Sequence, residues 1–259
     1  MSLAGRHALV CGGSAGIGRA AALAIAALGA EVTVLARRRD KLQALVPELR
    51  AAGAKEAGFL AVDVDDRGAL AREIDHLLAT RSPVQVLVNN AAGPAAGPLL
   101  DASDEDLLRA FQRHVLASHL LVRRILPGMR AAGYGRIVNV ISTSVREPIP
   151  GLGVSNIVRG AMASWAKTLS RELPPGVTIN NLLPGYTDTE RLGELAKSVA
   201  TRTGKTADEV RTGWIAATPE GRLARPDEMG GVIAFLASPA AAFIRGQSLA
   251  VDGGRLASI

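Results

Sequence analysis

The sequence holds a single cysteine, Cys11, so no intramolecular disulfide can form, and neither a disulfide scaffold nor a cysteine-built zinc site is open to it. Aromatic residues are scarce: two Trp, two Tyr and four Phe leave few stacking platforms for single-stranded nucleic acid. The longest small-apolar run, Ala20 to Ala30, is 11 residues, too short to cross a bilayer and too far from the N-terminus for a signal peptide. Long charged runs are missing as well. Arg37-Arg38-Arg39 is the longest basic one, although 30 Lys and Arg against 24 Asp and Glu leave a net charge of +6. These absences point away from membranes, nucleic acid and metal, and predict a soluble protein of a reducing cytoplasm. The basic balance then reads as plain solubility or as attraction for an anionic cofactor.

What is present is an ordinary globular composition over 259 residues, 48% apolar and 21% charged. No linker, repeat or composition shift divides the chain, so residues 1–259 are expected to form one domain. Strands are expected at His7–Val10, Val32–Leu35, Phe59–Val62, Val84–Val88, Arg136–Ser142, Thr178–Asn181 and Gln247–Val251, with helical material between nearly all of them. That alternation predicts an α/β fold, a Rossmann-like doubly wound parallel sheet of seven strands, in preference to an eightfold barrel. Ser103 with Asp106 reads as a helix N-cap, the helix running on through Leu107, Leu108, Phe111 and Val115. A second helix is expected from Ser155 to Glu172, stopped by Pro174, Pro175 and Gly176. The stretch 186–225 lacks an obvious strand and is expected to form a lid. Pro148 to Leu152 and Trp214 suit an apolar pocket wall, although core packing would give the same composition.

After the first strand comes Cys11-Gly12-Gly13-Ser14-Ala15-Gly16-Ile17-Gly18, opening an Ala-rich helix. Gly12, Gly16 and Gly18 allow a tight turn and close approach of the backbone to a pyrophosphate, whose charge the helix N-terminus stabilises. At the end of the second strand stands Ala36 rather than a carboxylate. A ribose 2′-hydroxyl therefore loses its usual acceptor, while Arg37 and Arg38 can pair with a 2′-phosphate, so NADP(H) is favoured over NAD(H). Three consecutive arginines cannot all face one ligand, and a solvated helix start remains open for some of them.

With Asp63-Val64, Asn89-Asn90-Ala91, Gly135 to Asn139, Asn180 to Pro184-Gly185, Thr189 and the terminal Val251-Asp252-Gly253-Gly254, the loop resembles the short-chain dehydrogenase/reductases over nearly the whole chain. The resemblance is nearest to members similar to β-ketoacyl carrier-protein reductases. It implies Asp63 and Val64 near the adenine, Asn90 near the ribose, and Pro184, Gly185, Thr187 and Thr189 near the nicotinamide. It also implies a small carbonyl or alcohol substrate, with an acyl type open, and a homotetramer.

The family's catalytic set is Asn, Ser, Tyr and Lys. By resemblance Ser142 matches the serine, while Ser155, Arg159 and His114 stand at the Tyr, Lys and Asn positions. Ser155 lacks the acidity of a phenol, and Arg159 stays protonated, so it can hold ribose hydroxyls or an oxyanion but donates a proton poorly. His114, with an ordinary pKa near 6.5, is a candidate to pass a proton through water. Tyr186 is a better-placed alternative donor than Tyr134. His7, His76 and His119 read as structural. Two functions follow: an NADP(H)-dependent oxidoreductase with a non-standard catalytic set, or a catalytically inactive NADP(H)-binding pseudoenzyme acting as a sensor or partner subunit.

Overall fold

The structure, a computed structural model, describes residues 1–258. Seven strands, β1 (His7–Cys11), β2 (Glu31–Ala36), β3 (Ala57–Ala61), β4 (Val84–Asn89), β5 (Gly135–Val140), β6 (Val177–Pro184) and β7 (Ser248–Val251), form one sheet. The sheet is parallel throughout, in the order β3-β2-β1-β4-β5-β6-β7. The helices are α1 (Gly16–Ala26), α2 (Arg39–Ala52), α3 (Arg67–Thr80), α4 (Asp104–Phe111), α5 (Ala117–Ala131), α6 (Gly153–Glu172), α7 (Glu190–Thr203), α8 (Ala207–Ala216) and α9 (Pro226–Ala237). This is the doubly wound Rossmann-like domain that the alternation predicts.

Side chains alternate across the sheet, so its two faces bury separate cores. Ala8, Val10 and Val34 join Ile25, Leu42 and Ile233 on the face covered by α1, α2 and α9. Leu9, Leu35 and Leu87 join Leu70, Ile125 and Ile179 on the face covered by α3, α5 and α6. A third cluster, including Val115, Ile141, Val158 and Met162, packs α6 near the end of β5, and a fourth, small one of Ala196, Ala200 and Val210 holds α7 to α8 outside the main core.

The strand order reverses direction between β1 and β4. Crossovers diverge there, so the carboxyl ends of the two strands leave a crevice. Cys11–Gly12, Asn89–Asn90, Ser142 and Pro184 all end up along that rim. Below it, polar residues cross the sheet in register: Asn89 Nδ2 donates to Asn139 Oδ1 at 2.8 Å, Asn139 Nδ2 to Asn181 Oδ1 at 2.8 Å, and Asn181 Nδ2 to the Ser248 hydroxyl at 3.0 Å. Each of these buried amides donates to the next, only Asn89 Oδ1 being left without a partner among the described residues, and the ladder pins the register of β4 to β7 beneath the crevice.

Expected bounds shift in several elements, β3 starting at Ala57 rather than Phe59 and β6 running on to Pro184 rather than stopping at Asn181, and three further differences bear on the site. The fifth strand stops at Val140 rather than Ser142, because the Ser142 hydroxyl accepts from Ser144 N at 3.0 Å and starts a short 3₁₀ turn, Thr143–Val145. The helix that Ser103 caps does not run on unbroken; a π-helical turn, Gln112–Leu116, separates α4 from α5, and Leu108 on α4 is 62% exposed. Finally α6 begins at Gly153, two residues earlier than Ser155. No helix among the described residues is long and apolar enough to cross a membrane.

Candidate active site

The glycine loop has the geometry of an anion cradle. Gly12 has φ +63°, and a Cβ there would lie 2.5 Å from the Asn90 carbonyl oxygen; a Cβ at Gly18 would lie 2.2 Å from the Gly12 oxygen. Only glycine permits this close packing of loop, helix and β4. The loop delivers α1 with Ala15 at its N-cap, no side-chain capping bond and no acidic residue in the first turn. The first N–H groups of α1 are thus left to an external acceptor, and the helix dipole favours that acceptor being negative. Ser14, Ala15 and Gly16 line a groove of about 440 Å³, and Thr189, whose methyl lies against Gly16, stands between that groove and the next cavity. Cys11 beneath the loop is buried, and burial pushes its thiol up to about 12, so it packs rather than reacts.

Arg37 and Arg38 flank the end of β2 on the exposed surface. Arg37 Nη1 lies 3.9 Å from Asp63 Oδ2, and Arg38 Nη2 lies 3.9 Å from Glu190 Oε2. These long, solvated pairs are weak and leave both guanidiniums available. Arg39 turns away, its guanidinium 5.4 Å from the Phe59 ring centre.

The second cavity, about 390 Å³, brings Ser142, Ser155 and Arg159 together with Ile17, Pro184, Gly185, Thr187 and Thr189. Its wall includes Ile149, Pro150, Leu152 and Trp214, as the apolar patterning predicts. Ser155 and Arg159 share a face of α6, one turn apart. Arg159 is 8% exposed; Nη1 donates to the Val140 carbonyl at 3.0 Å, and Nε has no partner among the described residues. Burial, with the nearby Arg191 charge, pulls its pKa down to about 10, which still leaves it protonated at neutral pH. The Ser142 hydroxyl accepts from Ser144 N, so its own proton is free to be donated into the cavity.

His114 lies beside this cavity, in a small space that it shares with Arg159, Asn89 and Asn90. It sits in the π-helical turn, 3% exposed, and does not line the cavity of Ser142 and Ser155. Burial first, then the charges of Arg159 and Arg113, lower its pKa to about 2, which favours the neutral ring. Of the tyrosines, Tyr134 is taken up elsewhere, its hydroxyl donating to the Ala237 carbonyl at 2.6 Å. Tyr186 lines the cavity, stacked on Trp214 with ring centres 5.0 Å apart. His7 bonds the Ser82 carbonyl and the Thr33 hydroxyl, both at 2.8 Å, and is structural.

Residues not anticipated from sequence lie in and around the site. Arg113 grips Asp65 through Nε at 2.9 Å and through Nη2, which holds the Asp65 carboxyl below its usual range. Arg191 donates to the Pro94 carbonyl at 2.8 Å, and Arg202 and Arg255 line the same cavity as Ser142. The stretch that carries Arg191 and Arg202 is closed at its base by a parallel bridge between Thr187 and Ala224.

Residues 12–255 match the family model described as enoyl-(acyl carrier protein) reductase. The chain belongs to the short-chain dehydrogenase/reductase family. Gluconate 5-dehydrogenase of Gluconobacter oxydans is 32% identical over 260 residues, covering 100% of this chain and 97% of that protein. The 3-oxoacyl-[acyl-carrier-protein] reductase FabG of Escherichia coli is 30% identical, covering 98% of each. Among solved structures, L-sorbose reductase from Gluconobacter frateurii, complexed with NADPH and L-sorbose, superposes with a TM-score of 0.92 at 28% identity, over 100% of this chain and 99% of that one. The family is thus one of oxidoreductases, and its members act on small carbonyl and alcohol compounds.

Proposed function

We propose that the chain is an NADP(H)-dependent oxidoreductase that interconverts a small carbonyl compound and its alcohol. One observation carries this reading: the uncapped start of α1 and the cavity holding Ser142, Ser155 and Arg159 adjoin, with Thr189 lining both. Gly12, Ser14, Gly16, Ile17 and Gly18 would hold the pyrophosphate. Arg37 and Arg38 would pair with a 2′-phosphate, Asp63, Val64, Asn89, Asn90 and Ala91 would border the adenosine half, and Pro184, Gly185, Thr187 and Thr189 the nicotinamide. The NADPH complex of L-sorbose reductase supports the choice of dinucleotide.

Bound NADPH would supply a hydride to the carbonyl carbon. Ser142 orients the carbonyl oxygen through its free hydroxyl proton. Arg159 faces the same cavity and offsets the negative charge that develops on that oxygen, at low dielectric where such an interaction is strong. Because its guanidinium stays protonated, Arg159 holds charge rather than releasing the proton; water admitted to the cavity delivers it by way of Ser142 or Ser155. The stretch 186–225 acts as a lid over the substrate, in a cytoplasmic homotetramer.

The second reading, a cofactor-binding pseudoenzyme, draws on Ser155 and Arg159 standing where the family carries Tyr and Lys. One set of assays separates the two. NADPH and NADH are titrated into the purified protein, and NADPH oxidation is followed with ketones and ketoacyl thioesters for the wild type, Ser142→Ala, and the double variant Ser155→Tyr with Arg159→Lys. Turnover that Ser142→Ala abolishes supports the enzyme. Turnover that appears only in the double variant supports an inactive site on a competent scaffold, and failure to bind either dinucleotide sinks both.

A further inference from the structure

Four arginines, Arg159, Arg191, Arg202 and Arg255, line the cavity of Ser142 and Ser155, and no aspartate or glutamate lines it. Among the described residues only Arg191 has a carboxylate partner, Glu194 at 3.3 Å. Arg255 is held by neutral groups among the described residues. Its Nη1 donates to the Thr143 hydroxyl at 3.0 Å, and its guanidinium lies 5.1 Å from the centre of the Tyr186 ring, which is itself braced by Trp214. Arg202 donates to the Gly151 carbonyl at 3.3 Å, again a neutral partner.

The proposed chemistry leaves these two cations over. The glycine loop with Arg37 and Arg38 accounts for the phosphates of the dinucleotide, Arg159 for the reacting oxygen, and Arg191 for the loop at Gly93–Pro94. Like charges gathered around one cavity attract an anion. A guanidinium fork matches the planar oxygens of a carboxylate or the face of a phosphate. Thr143, which orients Arg255, directly follows Ser142, so the anion and the reacting oxygen would be parts of one small molecule.

We propose that the substrate is an anionic carbonyl compound whose carboxylate or phosphate group is received by Arg255 and Arg202. The carbonyl in this statement rests on the oxidoreductase reading; the anion site does not, and can be read without turnover.

The test uses matched pairs, 4-oxopentanoate against 2-pentanone and dihydroxyacetone phosphate against dihydroxyacetone, with succinate and inorganic phosphate as non-reacting probes followed by calorimetry on the NADPH-loaded protein. We expect the acid-bearing member of at least one pair to be favoured, and the preference or the probe affinity to fall about 10- to 100-fold in Arg255→Gln and Arg202→Gln, the usual size of a charge-assisted contact. Which pair responds tells carboxylate from phosphate. Arg202 is exposed, so its variant keeps the test readable if Arg255→Gln folds poorly, and Arg255→Lys asks whether the fork matters beyond the charge. Equal turnover of both members of each pair, with no probe binding, overturns the anion site and leaves the oxidoreductase standing. Probe binding that Arg202→Gln removes, without turnover of any ketone, upholds the anion site while the oxidoreductase reading falls. No probe binding and no acid preference overturns the proposal.

Discussion

Arg159 Nη1 donates a 3.0 Å hydrogen bond to the Val140 carbonyl, tying a buried guanidinium to the end of the strand that delivers Ser142. No carboxylate of the described residues compensates its charge, and the charged group that acts on it is another cation, Arg191. A buried cation without a carboxylate partner among the described residues is costly to the fold, which agrees with the role proposed for Arg159 in the cavity.

Arg159→Met separates those two effects. The methionine removes the desolvation cost but orphans the Val140 carbonyl, and the two changes offset, so unfolding free energy by urea titration should stay within about 1 kcal/mol of the wild type. NADPH-dependent turnover should drop by about 10²-fold or more, the usual cost of removing an oxyanion-stabilising donor. A stability loss as large as the activity loss would make Arg159 a structural residue.

Arg38 bears on cofactor choice. Its nearest acid, Glu190, is 3.9 Å away and both side chains are solvated, so the pair contributes little. Replacing Arg38 with Glu should therefore leave the fold intact while raising the KM for NADPH about 10- to 100-fold and leaving that for NADH nearly unchanged. Dinucleotide titrations of the variant check this; an equal effect on both cofactors would place Arg38 away from the 2′-phosphate.

Glycines that look alike in sequence should respond oppositely. A Cβ at Gly18 meets the Gly12 carbonyl at 2.2 Å, whereas one at Gly231, exposed on α9, meets nothing within 4 Å. Gly18→Ala should cost about 1–3 kcal/mol by overpacking and abolish dinucleotide binding as the loop shifts. Gly231→Ala should gain about 1 kcal/mol through helix propensity alone. Thermal melts with and without NADPH read both effects.

The features legible in sequence are those with a local cause. The glycine loop after an apolar run, the Ser103 cap confirmed by its bonds to Asp106, and the helix stop at Pro174 all act over a few residues, and the doubly wound arrangement follows from right-handed crossovers. The asparagine ladder was hidden because Asn89, Asn139 and Asn181 align only once the register is fixed. Arg202 and Arg255 come from distant parts of the chain and share a cavity only through the fold of α7 and the segment after β7. The π-helical turn has no compositional mark either: Gln112 to Leu116 carries the same apolar spacing as the regular helix on each side.

His114 supplies the pH dependence. Its folded pKa, pushed down to about 2, lies below the ordinary histidine value of 6.5, so the unfolded chain takes up a proton that the folded one refuses. Stability from this group is complete above pH 6.5 and is lost as pH falls, by about 1.4 kcal/mol per unit and so about 2 kcal/mol by pH 5. His7, also lowered by burial, adds a slope of the same sign. In His114→Asn the slope from His114 vanishes while that from His7 persists, so the difference between wild-type and variant unfolding free energies, measured from pH 7.5 to 5, isolates it. Parallel curves would mean that the buried ring takes up its proton near pH 6.5 in the folded state too. That outcome would support the water-relay role, because a histidine titrating near neutrality beside Arg159 could exchange a proton with the cavity.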